Sequence, residues 1–296
     1  MNDLTGTAPP ALPRIMQSAP VRLVLLGGIL FLVMGVSSGY VASAAKTPLL
    51  SILTAVGMAI VGLAIYAAFV HFVERRPVSE LALAPLGRDL GIGLLVGSGL
   101  YTACVLILML LGIYRIEGLN PASFMLPAVA MALSSGFLEE LVFRGALFRI
   151  VEEMFGSWVS IIVSSFVFGF LHLLNPKATL LGALLISVEA GLLLAAAFML
   201  TRRLWLGIGF HISWNYTQSG IFSGVVSGGD SDPGLVKPMI EGPDLLTGGS
   251  FGLESSLIAC LLCTTAGVIV LIKAIKRGNV VLPLWQRAAK SDQRVS

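Results

Sequence analysis

The chain has 296 residues, a mean hydropathy of +0.92, 56% hydrophobic residues and only 12% charged ones. That balance excludes an ordinary soluble domain and a disordered chain, and it fits a polytopic membrane protein. A net charge of +3 without a basic stripe gives no support to nucleic-acid binding.

Residues 1–20 are rich in Pro and Ala and read as a mobile arm. Apolar runs of roughly 20 residues, enough to cross a bilayer, follow near 23–44, 49–72, 90–113, 122–143, 158–174, 178–200, 204–224 and 251–275. They predict an all-α, polytopic membrane fold of about eight transmembrane helices and no sheet. The transmembrane domain then spans 21–277, with a C-terminal tail over 278–296. The first run ends in Val41-Ala-Ser-Ala44, the pattern of a signal-peptidase site. The long polar lead before it favours a retained span. Cys260-Leu-Leu-Cys263 has a redox spacing, but it lies in an apolar run without an electropositive flank, so packing is the better reading.

With eight spans the loops alternate between two sides, and fifteen Lys and Arg residues fall on the side of the termini. Only Lys46, Arg115, Lys177 and Lys237 fall on the other. This asymmetry predicts cytoplasmic termini. The segment 73–89, with Glu74, Arg75 and Arg76, is expected along the cytoplasmic interface. The Gly-rich loop 225–250 is expected outside, as a mobile connector.

Within the fourth run, Gly136-Phe-Leu-Glu-Glu-Leu-Val-Phe-Arg144 sets three charges in apolar sequence. Each costs at least ~2.5–3.5 kcal/mol near the bilayer centre, so such groups rarely sit there idly. Glu140 and Arg144 are i and i+4 on one helix face, whereas Glu139 points about 100° away. The doublet therefore divides into an acid held by the arginine and an acid free to face something else. Two more ionisable groups lie deep in later runs, in Phe168-Gly-Phe-Leu-His172 and His211-Ile-Ser-Trp-Asn215. His71 is interfacial, and Glu189 is a further intramembrane acid whose role is left open. If Gly156 is the turn between the fourth and fifth runs, Glu139 and His172 lie at nearly equal distances from it and at one depth. Counted from Arg149 and Arg203, Glu139 and His211 fall about 15 Å and 12 Å deep, in the cytoplasmic half, at ~1.5 Å per residue.

A carboxylate and an imidazole sharing a water form a general-base unit for hydrolysis, while a second imidazole and a carboxamide stabilise a developing oxyanion. The same groups admit an alternative: Glu139, His172 and His211 are candidate ligands of a zinc site with an open position for water. His-Glu-x-x-His is absent, as are paired intrahelical aspartates.

Glu139-Glu140-x-x-x-Arg144, Phe168-x-x-x-His172 and His211-x-x-x-Asn215, in this order on three helices, resemble the CAAX protease and bacteriocin-processing family, which includes the CAAX prenyl endopeptidase. Leu204-Trp-Leu-Gly-Ile-Gly-Phe-His211, continuing to Trp214-Asn215, is similar to bacterial members. The resemblance covers about 122–224 as a protease-like core. It implies an eight-helix intramembrane endopeptidase of a bacterial plasma membrane, opening toward the cytoplasm and acting on a membrane-associated or CAAX-like protein. It also implies roles: Glu139 activates water, His172 assists, His211 and Asn215 steady the oxyanion, and Glu140 and Arg144 hold the geometry. Either zinc or no cofactor is compatible with it. Two competing readings are a non-catalytic immunity or scaffold protein, acting through 225–250, and a transporter using Glu189 with the acid doublet as a proton relay.

Overall fold

The computed structural model describes residues 14–44, 47–230 and 232–287. Most of the expected N-terminal arm, the end of the tail, and Lys46, Lys290 and Arg294 of the charge count lie outside the described residues. Helices α1 (Ala19–Ser43), α2 (Pro48–Val73) and α3 (Leu86–Leu110) come first, followed by strand β1 (Tyr114–Leu119). The helical stretch Ala122–Leu174 reverses at Gly156 into two limbs, α4 (126–155) and α5 (157–171). Then come α6 (Leu180–Thr201), α7 (205–221), β2 (Val236–Ile240) and α8 (Leu257–Lys276).

The molecule is an all-α polytopic membrane protein. Leu95, Leu110 and Leu261 point outward, 74%, 88% and 60% exposed, as lipid-facing positions require. Among the described residues, six helices are long and apolar enough to cross a bilayer, against about eight expected. One of the six is the whole α4–α5 stretch, and α7 is short. The absence of a sheet is also corrected: β1 and β2 pair antiparallel, Tyr114 opposite Ile240 and Leu119 opposite Val236. Their partners lie more than a hundred residues apart, and neither strand is strongly apolar. The 225–250 segment is therefore more than a connector. It carries β2 and a short helix, Asp244–Thr247.

The α4–α5 reversal positions the site. Gly156 has φ 79° and ψ 171°, a backbone region that only glycine enters without strain, and a Cβ there would lie 2.8 Å from the Val281 carbonyl oxygen. The antiparallel limbs are joined by Phe143 edge-on to Phe168, ring centres 5.0 Å apart, and by Ser160 Oγ donating to the Phe148 carbonyl. Phe143 and Phe168, 13 and 12 residues from Gly156, thus meet across the reversal, as the count from Gly156 predicts.

One end of the bundle is ionic. Arg149 donates to both oxygens of Glu74 at 2.8 and 2.9 Å, Arg22 approaches the same carboxylate at 3.3 Å, and Arg76 joins Glu74 to Glu80. Arg22 also reaches Glu153, Arg202 reaches Glu152, and Arg203 reaches Asp89 at 2.7 Å. These pairs tie together the ends of α1 to α4, α6 and α7. The 73–89 segment is therefore the hub of an ion network as well as an interfacial stretch. Glu74 lies just beyond α2. Burial opposes its ionisation, yet the hydrogen bonds and charge of Arg149 and Arg76 hold its carboxyl below the ordinary glutamate range.

Helix α1 belongs to this architecture. Its Ser37 hydroxyl meets that of Ser134 on α4 at 2.8 Å, both buried, and Leu26 and Leu30 enter the core. Such contacts fit a retained span.

Candidate active site

The backbone widens to π-helical geometry over Leu141–Phe148, directly after the acid doublet. Such widening recurs at functional positions in helices. Arg144 Nη1 nevertheless donates to Glu140 Oε1 at 2.9 Å, the expected i, i+4 pair, with both side chains 1% exposed. Arg144 Nη2 lies 3.4 Å from the Ala190 carbonyl of α6. The Phe168 ring covers the guanidinium, 4.7 Å from ring centre to Cζ. A desolvated arginine is thus held from above, from beside and by its carboxylate.

Glu140 also binds a second partner. His211 Nδ1 lies 3.1 Å from Glu140 Oε1. An ionised carboxylate only accepts hydrogen bonds, so the proton sits on Nδ1. The other ring nitrogen, Nε2, faces Glu139 Oε2 at 3.7 Å, too far for a hydrogen bond. Glu139 Oε2 is shielded and has no hydrogen-bond partner among the described residues. The doublet divides as its spacing predicts: Glu140 is held and Glu139 is free.

His172, at the end of α5, is oriented by its own helix. Its Nδ1 lies 2.7 Å from the Phe168 carbonyl oxygen. A carbonyl cannot donate, so Nδ1 carries a hydrogen, and the tautomer this selects leaves the lone pair on Nε2. Phe168 lies 4.8 Å from the His172 ring and 6.1 Å from that of His211. The Phe of the Phe-x-x-x-His motif thus touches the arginine and both histidines.

Glu139, His172, His211 and Asn215 line one cavity of about 330 Å³. Asn215 Nδ2 donates to Ser135 Oγ at 2.9 Å, one turn before Glu139. All six sequence-predicted residues therefore belong to one constellation: four line the space, and Glu140 with Arg144 lies immediately behind. Glu189 does not line the cavity. It is buried on α6 with one carboxylate oxygen unpartnered among the described residues, so the competing reading of a relay from Glu189 to the doublet finds no support in this arrangement.

The zinc alternative does not fit the donors. Glu139, His172 and His211 share a cavity, but among the described residues no three His, Cys, Asp or Glu side chains converge as a metal site.

Four contributors were not legible in the sequence. Ser135 and Asn175 line the cavity, and Asn175 Nδ2 donates to the Ser227 carbonyl at 2.7 Å. Ser227 lines it too, and its backbone N–H is held by Glu254, which also accepts from Trp214 Nε1 at 3.3 Å. An acid at the start of the last apolar run was the one available signal for Glu254. The 225–250 segment is thereby a wall of the site. The cavity's lining includes Val41, Ser51 and Asp230, at the ends of α1 and α2 remote from the arginine-rich network.

Residues 121–217 match the family model described as type II CAAX prenyl endopeptidase Rce1-like. The match covers about a third of the chain and contains Glu139, Glu140, Arg144, Phe168, His172, His211 and Asn215. It agrees with the motif resemblance and supports a membrane-embedded protease. No curated protein and no solved structure matches the chain.

Proposed function

We propose that this protein is an intramembrane endopeptidase that hydrolyses a peptide bond of a membrane-associated protein. The observation that carries the reading is Glu139, whose Oε2 has no hydrogen-bond partner among the described residues, lining a cavity shared with two histidines whose tautomers are fixed by their Nδ1 contacts.

A water in the cavity gives a proton to Glu139 as its oxygen attacks the scissile carbonyl carbon. His172 Nε2 is the second acceptor available to that water. The oxyanion receives hydrogen bonds from Asn215, which has one amide N–H beyond that given to Ser135, and from His211 when its Nε2 is protonated. The carbon–nitrogen bond then breaks, and the proton held by Glu139 passes to the leaving amine. Glu140 takes no proton. It fixes His211 and neutralises Arg144. The carboxylate must lie within reach of the water without being neutralised itself, and the split of the doublet meets both conditions.

The test is cleavage of membrane-anchored reporters by purified protein in liposomes. Glu139→Ala and His172→Ala are expected to abolish cleavage while leaving a folded, monodisperse protein. Retained cleavage in both would remove the assignment.

A further inference from the structure

The charge distribution and the cavity point in opposite directions. Arg22, Arg76, Arg149, Arg202 and Arg203 gather at one end of the bundle, which the positive-inside rule makes cytoplasmic. Cross-helix ion pairs also tie the helices to one another at that end. The catalytic cavity is lined instead by the last turn of α1 at Val41, the first turn of α2 at Ser51, and by Ser227, Gly229, Asp230 and Asp232. Asp230 at its rim has an 89% exposed side chain.

A second space of about 200 Å³ touches the same two catalytic side chains, Glu139 and His172. It runs between α1 and the end of α5, past Phe31, Met34, Leu171 and Leu174. Phe31 and Leu174 are 42% and 77% exposed on the lipid-facing surface. A chain reaching Glu139 thus has an apolar side entrance from the bilayer and a polar mouth at the arginine-poor end.

We propose that the substrate is a membrane-anchored polypeptide cut in the segment next to its anchor on the non-cytoplasmic side. Its apolar anchor lies against the gap between α1 and α5, and its polar flank leaves through the mouth at Asp230. This rests on the endopeptidase reading and narrows it. It departs from a CAAX-like C-terminus presented from the cytoplasm, which would meet the ion-paired, arginine-rich end rather than the cavity lining at Val41, Ser51 and Asp230.

Two measurements test it. In the first, Asp230→Cys and Arg88→Cys are each labelled with a membrane-impermeant maleimide in intact cells and after permeabilisation; the native cysteines lie in apolar helices. Asp230→Cys is expected to react in intact cells and Arg88→Cys only after permeabilisation, and the reverse pattern overturns the proposal. In the second, the full-length protein meets two pools of single-span reporters, with a randomised segment beside the span on the outer or the cytoplasmic side. Glu139-dependent loss of intact reporter is expected in the outer pool. Cleavage confined to the cytoplasmic pool overturns the proposal but leaves the endopeptidase reading intact. Failure to cleave either pool, with labelling as expected, overturns the endopeptidase reading and the proposal with it.

Discussion

Substituting the two adjacent glutamates separately is expected to give opposite results. Glu140 accepts from Arg144 at 2.9 Å and from His211 at 3.1 Å, and Arg144 is wholly buried. Glu140→Ala leaves a desolvated guanidinium without its carboxylate, and breaking one side of such a pair costs ~3–5 kcal/mol. For a chain of this size that corresponds to a fall in melting temperature of about 6–15 °C, at roughly 2–3 °C per kcal/mol. Glu139 has one oxygen with no partner among the described residues and a side chain 18% exposed to the cavity. Its truncation removes no hydrogen bond made through that oxygen, so Glu139→Ala is expected to change stability by less than about 1 kcal/mol. Loss of a general base lowers turnover by about 10²–10⁴-fold. The assay pairs melting of detergent-solubilised protein with reporter cleavage in liposomes. Equal melting losses in the two variants would refute the division of roles, and so would an active Glu139→Ala enzyme.

Other variants probe the supports of the site. A Cβ at Gly207 would lie 2.7 Å from Glu140 Oε2, so Gly207→Ala should displace that carboxylate and reduce kcat, at a cost of about 1–3 kcal/mol by overpacking, read by kinetics and melting. Gly156→Ala forces a side chain into a glycine-only conformation against Val281, and melting should show a loss of at least about 1–3 kcal/mol. Glu254→Ala frees Ser227 and the loop that walls the cavity, and is expected to raise KM more than it lowers kcat. The Glu74 carboxyl is held below its ordinary range, so its contribution to stability is present above the unfolded-state value and is lost as pH falls through the lower folded-state value. Melting measured against pH should decline over that acidic window, and Glu74→Gln should flatten the decline.

Much of the site could be read from residue spacing because helical geometry is local. The i, i+4 relation predicted the Glu140–Arg144 pair, and symmetric counts about Gly156 predicted that Glu139 and His172 would share a depth. His211 and Asn215 entered through the motif on α7. The illegible parts depend on distant chain. Pairing of β1 with β2 joins segments far apart in sequence, and neither has a strong alternating pattern. Ser135 and Ser227 are common residues whose roles come only from what lies opposite them. Depth counted from the arginines gives how far a group lies from one face, and nothing in it says at which end the polar lining of the cavity gathers.

The ion-paired end and the buried Glu140–Arg144–His211 set answer one physical requirement. Hydrolysis within a bilayer needs water and a reactive carboxylate at a depth where each unpaired charge is costly. Glu140 spends its charge on Arg144 and orients His211 through Nδ1, while Glu140 Oε2 and Arg144 Nε are buried without a hydrogen-bond partner among the described residues. Glu139, His172, His211 and Asn215 line the space in front of that cluster, where a water or a substrate amide meets them. The cross-helix pairs of Glu74, Glu152 and Asp89 fix the bundle at the far end. Loosening that network should therefore disturb the site from a distance. Glu74→Ala leaves Arg22, Arg76 and Arg149 in excess, and is expected to lower melting and cleavage together. Glu139→Ala, in contrast, lowers cleavage alone.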